Sequence, residues 1–510
     1  MPAKPIRRSA LLALALLMAA AVPVRATTPP TFTVVDSIRS GVDSSYGLSN
    51  TYSGVLGDYL YFSAIDGTTG AELWRTDGTG LGTTRVKDIN PGAGSSNPAG
   101  FIALGDYLYF QASDDTYGGE LWRTDGTEAG TTRVADINVG VNGSNPYYFT
   151  ALGGFLYFQA DDGTTGAELW RTDGTGLGTT RVKDINPGAG SSFPALFIAL
   201  GDYLYFQASD GTNGYEVWRT DGTELGTTLV KDINTYADGG GTYGSNPNHF
   251  TALGGFLYFR ADNGTTGTEL WRTDGTEAGT TSVKDINPGA SSSYPQSLTA
   301  LGGFLYFSAN DGTNGYEVWR TDGTELGTTL VKDINTSFDS DPYDFTVFGG
   351  FLYFQANDGT TGAELWRTDG TEAGTTSAAD IVTGAGSSYP RSFTALGDYL
   401  YFVASDGLRN VVHRTDGSVV ERVPFPIDAD QYVMCMCEPL TTLGGRLFSS
   451  VYSEATGIEF AYLTEPTYVL PETNRDGDVG SAWTIALSAL ALVTLAAGVG
   501  LRRRSGAAQR

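Results

Sequence analysis

Seven tryptophans recur along this chain at almost constant spacing, and this periodicity constrains the fold more than any other feature. Successive tryptophans lie 48, 48, 48, 53, 48 and 47 residues apart. Each lies in nearly the same octapeptide, which around the first tryptophan runs from Glu72 to Thr79. The seven are Trp74, Trp122, Trp170, Trp218, Trp271, Trp319 and Trp366. The spacing predicts one supersecondary unit copied many times, so the first question is how the copies pack together.

The third copy shows what one unit is expected to form. Four short runs rich in aromatic and β-branched residues are separated by Gly-Gly or Asp-Gly pairs, which are typical of tight turns. The runs are residues 149–152, 155–160, 168–171 and 179–185. This pattern predicts a four-stranded antiparallel meander, and no stretch outside the two termini shows a helical apolar period. The fold class is therefore predicted to be all-β.

The second run of each unit decides the architecture. In the third copy, Phe155 to Phe158 are all apolar or aromatic, so both faces of the sheet must be covered; a sheet with one wet face would alternate instead. Four-stranded sheets stacked on both sides and repeated radially form a β-propeller. A solenoid is the main alternative, but 48 residues with four strands is long for a β-helix coil.

The two ends of the repeat array predict ring closure. An eighth unit spans 393–417, with His413 at the tryptophan position, where we expect it to be buried, and a degenerate ninth spans 443–461 without a fourth strand. At the other end, Phe32 to Ile38 resembles a fourth strand that lacks the first three. Pairing of this strand with the ninth unit would close the ring, so we expect eight to nine blades, with eight plus an irregular sheet left open.

Both termini carry export and membrane patterns. Basic residues, an apolar run and a small-residue cleavage site predict a signal peptide at 1–26. The propeller is expected at 27–465 and a linker at 466–481. An uncharged apolar stretch at 482–501 is long enough to form a transmembrane helix, and the arginines of 502–510 predict a cytoplasmic tail. The body of the chain is therefore expected outside the cytoplasm, at the cell surface.

The exported body is strongly acidic. The whole chain has a net charge of −26, and residues 1–26 and 502–510 hold eight of its 31 basic residues and none of its 57 acidic ones, which leaves −34 for 27–501. Such a surface repels nucleic acid and other polyanions, so a nucleic-acid partner is excluded. The two cysteines, Cys435 and Cys437, are too close for a relaxed disulfide and too few for a zinc site, which favours two small buried residues.

The recurring Glu-Leu-Trp-x-x-Asp-Gly-Thr pattern resembles the bacterial repeat family named after it. The resemblance covers about residues 31–465 and is strongest in the first seven copies. It implies an exported, propeller-like protein and brings no established activity or catalytic residue. Leu470, Pro471, Glu472 and Thr473, followed by the apolar run and arginines, resemble a cell-wall sorting signal, which implies a sortase and the cell wall as partners. Asn474 stands where that pattern has glycine, so a plain membrane anchor is the alternative.

The repeated aspartates invite two chemical interpretations. Acidic turns after the second run could bind Ca²⁺ through oxygen ligands, although an aspartate that accepts hydrogen bonds from its own turn explains them without any cofactor. The candidate ligands are Asp66, Asp162, Asp210, Asp311 and Asp358. We also expect the arginine after each tryptophan to form an ion pair with the aspartate that ends the fourth run, such as Arg75 with Asp88.

Enzymatic motifs are absent from the sequence, which has two histidines and no nucleophile–base pair, metal-ligand spacing or phosphate-binding loop. The copies diverge instead at the connections between units, where aromatic residues suit a glycan or protein ligand. The candidates are Tyr147, Tyr148, Phe193, Tyr243, His249, Tyr294, Tyr343 and Tyr389. His249 is expected in a solvated loop. An adhesion or recognition module is thus favoured, with a secreted polysaccharide-active hydrolase or a structural surface-layer component as alternatives.

Overall fold

The structure, a computed structural model, describes residues 31–34, 53–236, 243–424, 432–433, 440–453 and 457–464. All of them belong to one compact unit, Pro29–Glu465. The predicted signal peptide, the sorting motif, the apolar stretch at 482–501 and both cysteines lie outside the described residues. Within the described ranges, no helix has the length and hydropathy needed to cross a bilayer.

The described chain is all-β, as predicted, and forms a nine-bladed β-propeller. Blades 1 to 4 consist of β2 Ser53–Leu56, β3 Tyr59–Ala64, β4 Glu72–Thr76, β5 Thr84–Lys87; β6 Ala99–Leu104, β7 Tyr107–Asp114, β8 Gly118–Thr124, β9 Thr132–Arg133; β10 Tyr147–Leu152, β11 Phe155–Asp161, β12 Ala167–Thr172, β13 Thr180–Lys183; and β14 Ala195–Leu200, β15 Tyr203–Ser209, β16 Tyr215–Thr220, β17 Thr228–Lys231.

Blades 5 to 8 repeat the same antiparallel order of four strands. They consist of β18 Asn248–Leu253, β19 Phe256–Asp262, β20 Thr268–Thr273, β21 Thr281–Lys284; β22 Gln296–Leu301, β23 Phe304–Asn310, β24 Tyr316–Thr321, β25 Thr329–Lys332; β26 Tyr343–Phe348, β27 Phe351–Asn357, β28 Ala363–Thr368, β29 Thr376–Ala379; and β30 Arg391–Leu396, β31 Tyr399–Ser405, β32 Asn410–Thr415, β33 Val420–Arg422. The first strands of neighbouring blades contact one another, so they are the innermost strands of the ring.

The ninth blade confirms the predicted closure. It contains β35 Thr441–Leu443, β36 Arg446–Ser453 and β37 Gly457–Thr464, and its fourth strand is β1 Thr31–Val34 from the other end of the chain. Strand β1 pairs antiparallel with β37, with Thr31 opposite Thr464 and Val34 opposite Ala461. A short extra strand, β34 Tyr432–Val433, also pairs with β36, and the sequence did not predict it. The open question of eight or nine blades is therefore settled at nine.

The core lies between blades rather than within them. Nine buried apolar clusters of the described residues join consecutive blades all the way around the ring. Between the first two blades, Tyr61 and Leu73 of blade 1 pack against Phe110 and Trp122 of blade 2. The ring is completed where Phe448 of blade 9 packs with residues of blade 1. This explains why the second strand is apolar on both faces: each face is covered by a different neighbour.

The tryptophans lie between blades, and the arginines after them do not form the expected ion pairs. The Arg75 guanidinium lies 4.4 Å from the centre of the Tyr59 ring and donates to the carbonyl of Gly126 in the next blade at 2.8 Å. Arg75 is opposite Thr84 across the strand pair, so Asp88 is four residues further along, about 13 Å in an extended strand. The expectation of an Arg75–Asp88 pair was therefore wrong.

Candidate functional site

One face of the ring, which we call the loop face, gathers the connections between blades and the turns after the second strands. Backbone hydrogen bonds hold the two sets together, because Ser96 of the connection between blades 1 and 2 donates to Ala71 of blade 1 at 2.9 Å and accepts from Ser113 of blade 2 at 2.9 Å. The same pair of bonds recurs around Ser192. The connections between blades and the turns after the second strands therefore lie on the same side of the ring.

A buried glutamate fixes the connection that follows each of blades 1 to 7. In blade 3 the Glu168 carboxylate accepts from the backbone N–H of Ile185 at 2.8 Å, the N–H of Ser192 at 2.9 Å and the Ser192 hydroxyl at 2.7 Å. Burial raises the pKa of Glu168 to about 7, although the hydrogen bonds oppose this shift. The fully buried glutamates are Glu72, Glu120, Glu168, Glu216, Glu269, Glu317 and Glu364. They explain the glutamate of the repeated octapeptide as a structural residue that positions the loops.

The aspartate turns are satisfied internally. Asp66 Oδ1 accepts from the backbone N–H of Thr68 at 2.8 Å and that of Thr69 at 2.9 Å, and also from both threonine hydroxyls. Its pKa is lowered to about 2 because these hydrogen bonds outweigh the opposing effect of burial, which is the largest single contribution. The described residues contain no group of three or more histidine, cysteine or acidic side chains arranged to hold a metal ion. Calcium binding at these aspartates stays an untested prediction.

Exposed aromatic side chains are concentrated on the loop face. Every strongly exposed aromatic residue in the described ranges belongs to a connection between blades or to the start of an innermost strand. These residues are Tyr147, Tyr148, Phe193, Tyr236, Tyr243, Tyr294, Phe338, Tyr343 and Tyr389. They include seven of the eight residues that the sequence singled out, all except His249. Because they are exposed, these rings do not cap the core of a blade.

The residue before the proline that opens each blade has a left-handed backbone. In the seven described copies, at the start of blades 2 to 8, it is Asn, Asp or an aromatic residue; the aromatic copies are Phe193, Tyr294 and Tyr389, with φ of 47°, 47° and 49°. Each of these three donates its N–H to the residue that begins the third strand of the preceding blade, as Tyr294 does to Thr268 at 3.2 Å. Four other copies have Asn or Asp at this position, the residue types that tolerate this conformation best.

The second residue of the innermost strand in blades 2 to 8 also has a left-handed backbone, at a β-bulge. Within blades 2 to 8 this residue changes from copy to copy, while the residues that follow it are nearly constant. The seven are Gly100, Tyr148, Leu196, His249, Ser297, Asp344 and Ser392. The expectation that His249 lies in a solvated loop was wrong, because it belongs to β18 and is partly buried.

A cavity of about 380 Å³ opens against the innermost strands of blades 5, 6 and 7. His249, Ser297, Tyr343 and Asp344 line it. The Asp344 carboxylate accepts from the backbone N–H of Ser392 at 2.6 Å, and burial raises its pKa above the ordinary value. Burial likewise lowers the pKa of His249, with a smaller contribution from Arg260, so its imidazole is neutral at pH 7. The sequence did not single out Ser297 or Asp344; aligning the copies by strand register would have done so.

The remaining candidates are spread around the ring rather than gathered in one pocket. Tyr147 and Tyr148 contact each other edge to face, with ring centres 4.6 Å apart, and Tyr243 lies 6.0 Å from Tyr236. Phe193, Tyr294 and Tyr389 precede blades 4, 6 and 8, so they lie far apart. His413, as expected, is buried; it stacks on Phe402, and burial lowers its pKa to about 4.

No family model matches this chain, and no curated protein matches it. Among solved structures, it is similar to the computationally designed Ika8 protein, with 15% identity and a TM-score of 0.39 over 74% of this chain and 98% of that one. Puromycin hydrolase matches with 14% identity and a TM-score of 0.35 over 69% of this chain and 58% of its own. Prolyl oligopeptidase B from Galerina marginata matches with 13% identity and a TM-score of 0.38, over 71% of this chain and 56% of its own. This chain therefore spans little more than half of either hydrolase, and no activity is transferred from them.

Proposed function

We propose that this protein is a surface-anchored recognition module that binds an extracellular glycan with its loop face. The single observation that carries the proposal is the concentration of exposed aromatic rings on that face. Aromatic rings stack on the apolar faces of sugars, and the neighbouring Asn, Ser and Asp side chains offer hydrogen bonds to hydroxyl groups. A sugar chain is long enough to contact rings that lie on separate blades.

Backbone strain at three of these rings supports a role in binding. Phe193, Tyr294 and Tyr389 occupy left-handed backbone positions where other copies have Asn or Asp. A bulky residue costs more than Asn in this conformation, and such strain is concentrated at functional sites in proteins. The folding of the blade therefore does not explain the aromatic residue, whereas contact with a ligand does.

A glycan fits this surface better than a protein partner. The rings stand singly or in pairs at separate blades, whereas the core of a protein interface is a contiguous, well-packed apolar patch. The net charge of −26 further disfavours polyanionic ligands. The range of ligands is thereby narrowed to neutral or sparsely charged sugar chains.

The location of the module is part of the same proposal. It rests on the signal-peptide pattern at 1–26, the sorting-like motif at Leu470–Thr473 and the apolar stretch at 482–501. The resemblance to the exported ELWxxDGT repeat family agrees with it. A sortase would join the chain to the cell wall, and an uncleaved apolar stretch would hold it in the membrane.

The proposal can be tested with residues 27–465 on a glycan array, followed by calorimetry with the best ligand. The informative variant replaces Phe193, Tyr294 and Tyr389 together by Asn, the residue that other blades use at the same position. We expect an unchanged or higher melting temperature, because Asn relieves backbone strain, and at least a tenfold weaker affinity. Substitution of the exposed Leu81 by Asn, on the opposite face, is the control and should leave binding intact.

Two results would contradict the proposal. One is an array on which the wild-type ring binds no glycan although it binds a protein of the extracellular matrix. The other is a triple variant with wild-type affinity for its glycan, since the strained rings would then have no part in recognition. Turnover of the bound glycan would instead support the alternative of a polysaccharide-active enzyme.

A further inference from the structure

Arg260 stands apart from every other basic residue in the described segments. Each of the other lysines and arginines has a hydrogen bond, an ion pair or an aromatic ring in contact. Arg260 has none of these with any described residue, although it is only partly exposed. In a chain with far more acidic than basic residues, an arginine without a partner is unexpected.

The fold does not require an arginine at this position. Arg260 lies opposite Leu270 in the strand pair β19–β20, and the same register identifies its counterparts in other blades. The counterparts in blades 1 to 4 and 6 to 8 are Ser63, Gln111, Gln159, Gln207, Ser308, Gln355 and Val403. Glutamine is thus the common residue, and the arginine is specific to blade 5.

The side chain points into the gap between blades 5 and 6 at the loop face. It shares a face of β19 with Tyr258, two residues away, and Tyr258 packs against Leu305 of blade 6. Tyr294 from the connecting loop and Tyr316 at the start of β24 are close enough to affect the pKa of Arg260, and Arg260 in turn affects that of His249. Across the strand pair Arg260 lies opposite Asn248, the residue before His249, so His249, Tyr294 and Tyr316 are potential hydrogen-bond donors in the neighbourhood of the guanidinium.

The electrostatics at Arg260 itself favour an anion, although the Asp339 and Asp341 carboxylates lie near Tyr316. Burial lowers the pKa of Arg260 from its usual value, and no carboxylate is among the groups that affect it. A guanidinium withdrawn from water without a counter-ion destabilises the fold, and an anionic ligand would remove that penalty. Burial raises the pKa of Tyr316, so its hydroxyl keeps the proton that it would donate to such a ligand.

We propose that Arg260, together with His249, Tyr294 and Tyr316, binds the carboxylate of an acidic sugar between blades 5 and 6. This inference rests on the proposed glycan recognition and names the chemistry of one residue of that glycan. The planar guanidinium matches a carboxylate with two parallel hydrogen bonds. Because the surrounding surface is acidic, the ligand carries isolated carboxylates on an otherwise neutral chain rather than a dense row of charges.

The test uses glucuronate, with glucose as its neutral counterpart and sulfate as a non-sugar anion, at constant ionic strength. Binding to residues 27–465 is followed by thermal shift and by NMR of the ligand. The variant is Arg260→Gln, which gives blade 5 the residue that four other blades already have. Gln207→Ser is the matched control, because Ser is the residue at the same position of blade 6.

We expect glucuronate to raise the melting temperature of the wild type and of Gln207→Ser, and to bind Arg260→Gln at least tenfold more weakly. Glucose should bind all three proteins equally. Without ligand, Arg260→Gln should melt at or above the wild-type temperature, because an uncompensated charge has been removed. A markedly lower melting temperature with unchanged glucuronate binding would show that Arg260 is structural and would overturn the inference.

Two further outcomes separate this inference from the proposed function. If neutral oligosaccharides bind the wild type and Arg260→Gln equally and glucuronate has no effect, recognition of glycans stands and the carboxylate site is wrong. If no oligosaccharide binds, but glucuronate stabilises the wild type alone, the carboxylate site stands and the glycan module is wrong. An equal response to sulfate and glucuronate would overturn the assignment to a sugar.

Discussion

At the scale of single residues, the buried glutamate is the most unusual feature of the repeat. A charged group at this depth destabilises a fold unless hydrogen bonds compensate, and Glu168 has three donors. The Ser192 hydroxyl also lies 3.4 Å from the Ala167 carbonyl, so it can turn to donate there and accept a hydrogen bond from a neutral Glu168. The same geometry therefore accommodates both protonation states.

The raised pKa of Glu168 predicts that stability falls as pH rises. The folded chain retains a proton that the unfolded chain, with a glutamate pKa of 4.5, has released, so the free energy of unfolding is highest near pH 4.5 and decreases toward pH 7. One such glutamate accounts for about 3 kcal/mol over this range. Denaturation followed from pH 5 to 8 should show a steadily falling melting temperature.

The variant Glu168→Gln should make this pH dependence shallower by the share of one glutamate, because the amide does not titrate while the buried glutamates of the other blades still do. Glu277→Gln, at an exposed glutamate, is the control and should leave the slope unchanged. Below pH 4 the trend should reverse, since Asp66 and Asp162, with pKa lowered to about 2, then lose their turn-stabilising charge. A melting temperature that rises from pH 5 to 8 would contradict the assignment of these glutamates.

At the scale of strands, the arginine after the tryptophan joins neighbouring blades. Arg123 lies 4.3 Å from the centre of the Tyr107 ring and donates to the Gly174 carbonyl of the next blade at 2.9 Å. A lysine can keep the charge but not the flat stacking surface of the guanidinium. The sequence predicted that this arginine lies on a strand but did not predict its partner. The partner is a backbone carbonyl, which every residue has, so no pattern of side chains identifies it.

We predict that Arg123→Lys destabilises the protein by about 1–2 kcal/mol, since it loses both the stacking and the interblade hydrogen bond. Arg171→Lys is the comparison. The Arg171 guanidinium lies 4.5 Å from the centre of the Phe155 ring, and we expect its substitution to lower the free energy of unfolding less than Arg123→Lys does. Chemical denaturation of the two variants under identical conditions measures the difference. Equal losses would show that the interblade carbonyl contributes nothing.

At the scale of the whole molecule, ring closure depends on four residues that come from the opposite end of the chain. Strand β1 is the outermost strand of the ninth blade, and without it β37 would present an unpaired edge. The cluster that contains Phe448 and Trp74 then joins the ninth blade to the first. Closure by a distant strand therefore couples the stability of the first and last blades.

A chain that begins at residue 35 should melt at least about 5 °C below one that begins at residue 30, because it loses the β1–β37 ladder. Hydrogen exchange should increase first in β36 and β37, next to the missing strand. A synthetic peptide spanning residues 29–36, added in excess, should restore part of the loss. Identical melting temperatures for the two chains would show that β1 is dispensable for closure.

The constancy of the repeat decides which residues of the site could be predicted from the sequence. Exposed rings such as Tyr343 and Tyr389 could be identified because they interrupt an otherwise constant pattern between blades. The sequence did not identify Arg260 and Asp344 as candidate site residues. Each is a single change inside a strand whose other residues are ordinary for a β-strand. The Asp88 side chain was assigned a wrong partner, because the sequence shows which residues alternate but not the bulge that shifts the register beside Leu73.

The sequence by itself determined the unit, its four strands and the strand that closes the ring, because these follow from local periodicity and turn chemistry. Only the tertiary structure decided the number of blades, since nine units pack face to face around a closed ring and their curvature depends on every contact between them. It also decided which variable residues meet at the loop face. Proximity between Arg260 and Tyr316 arises from neighbouring blades, and no pattern along the chain records distances across the gap between them.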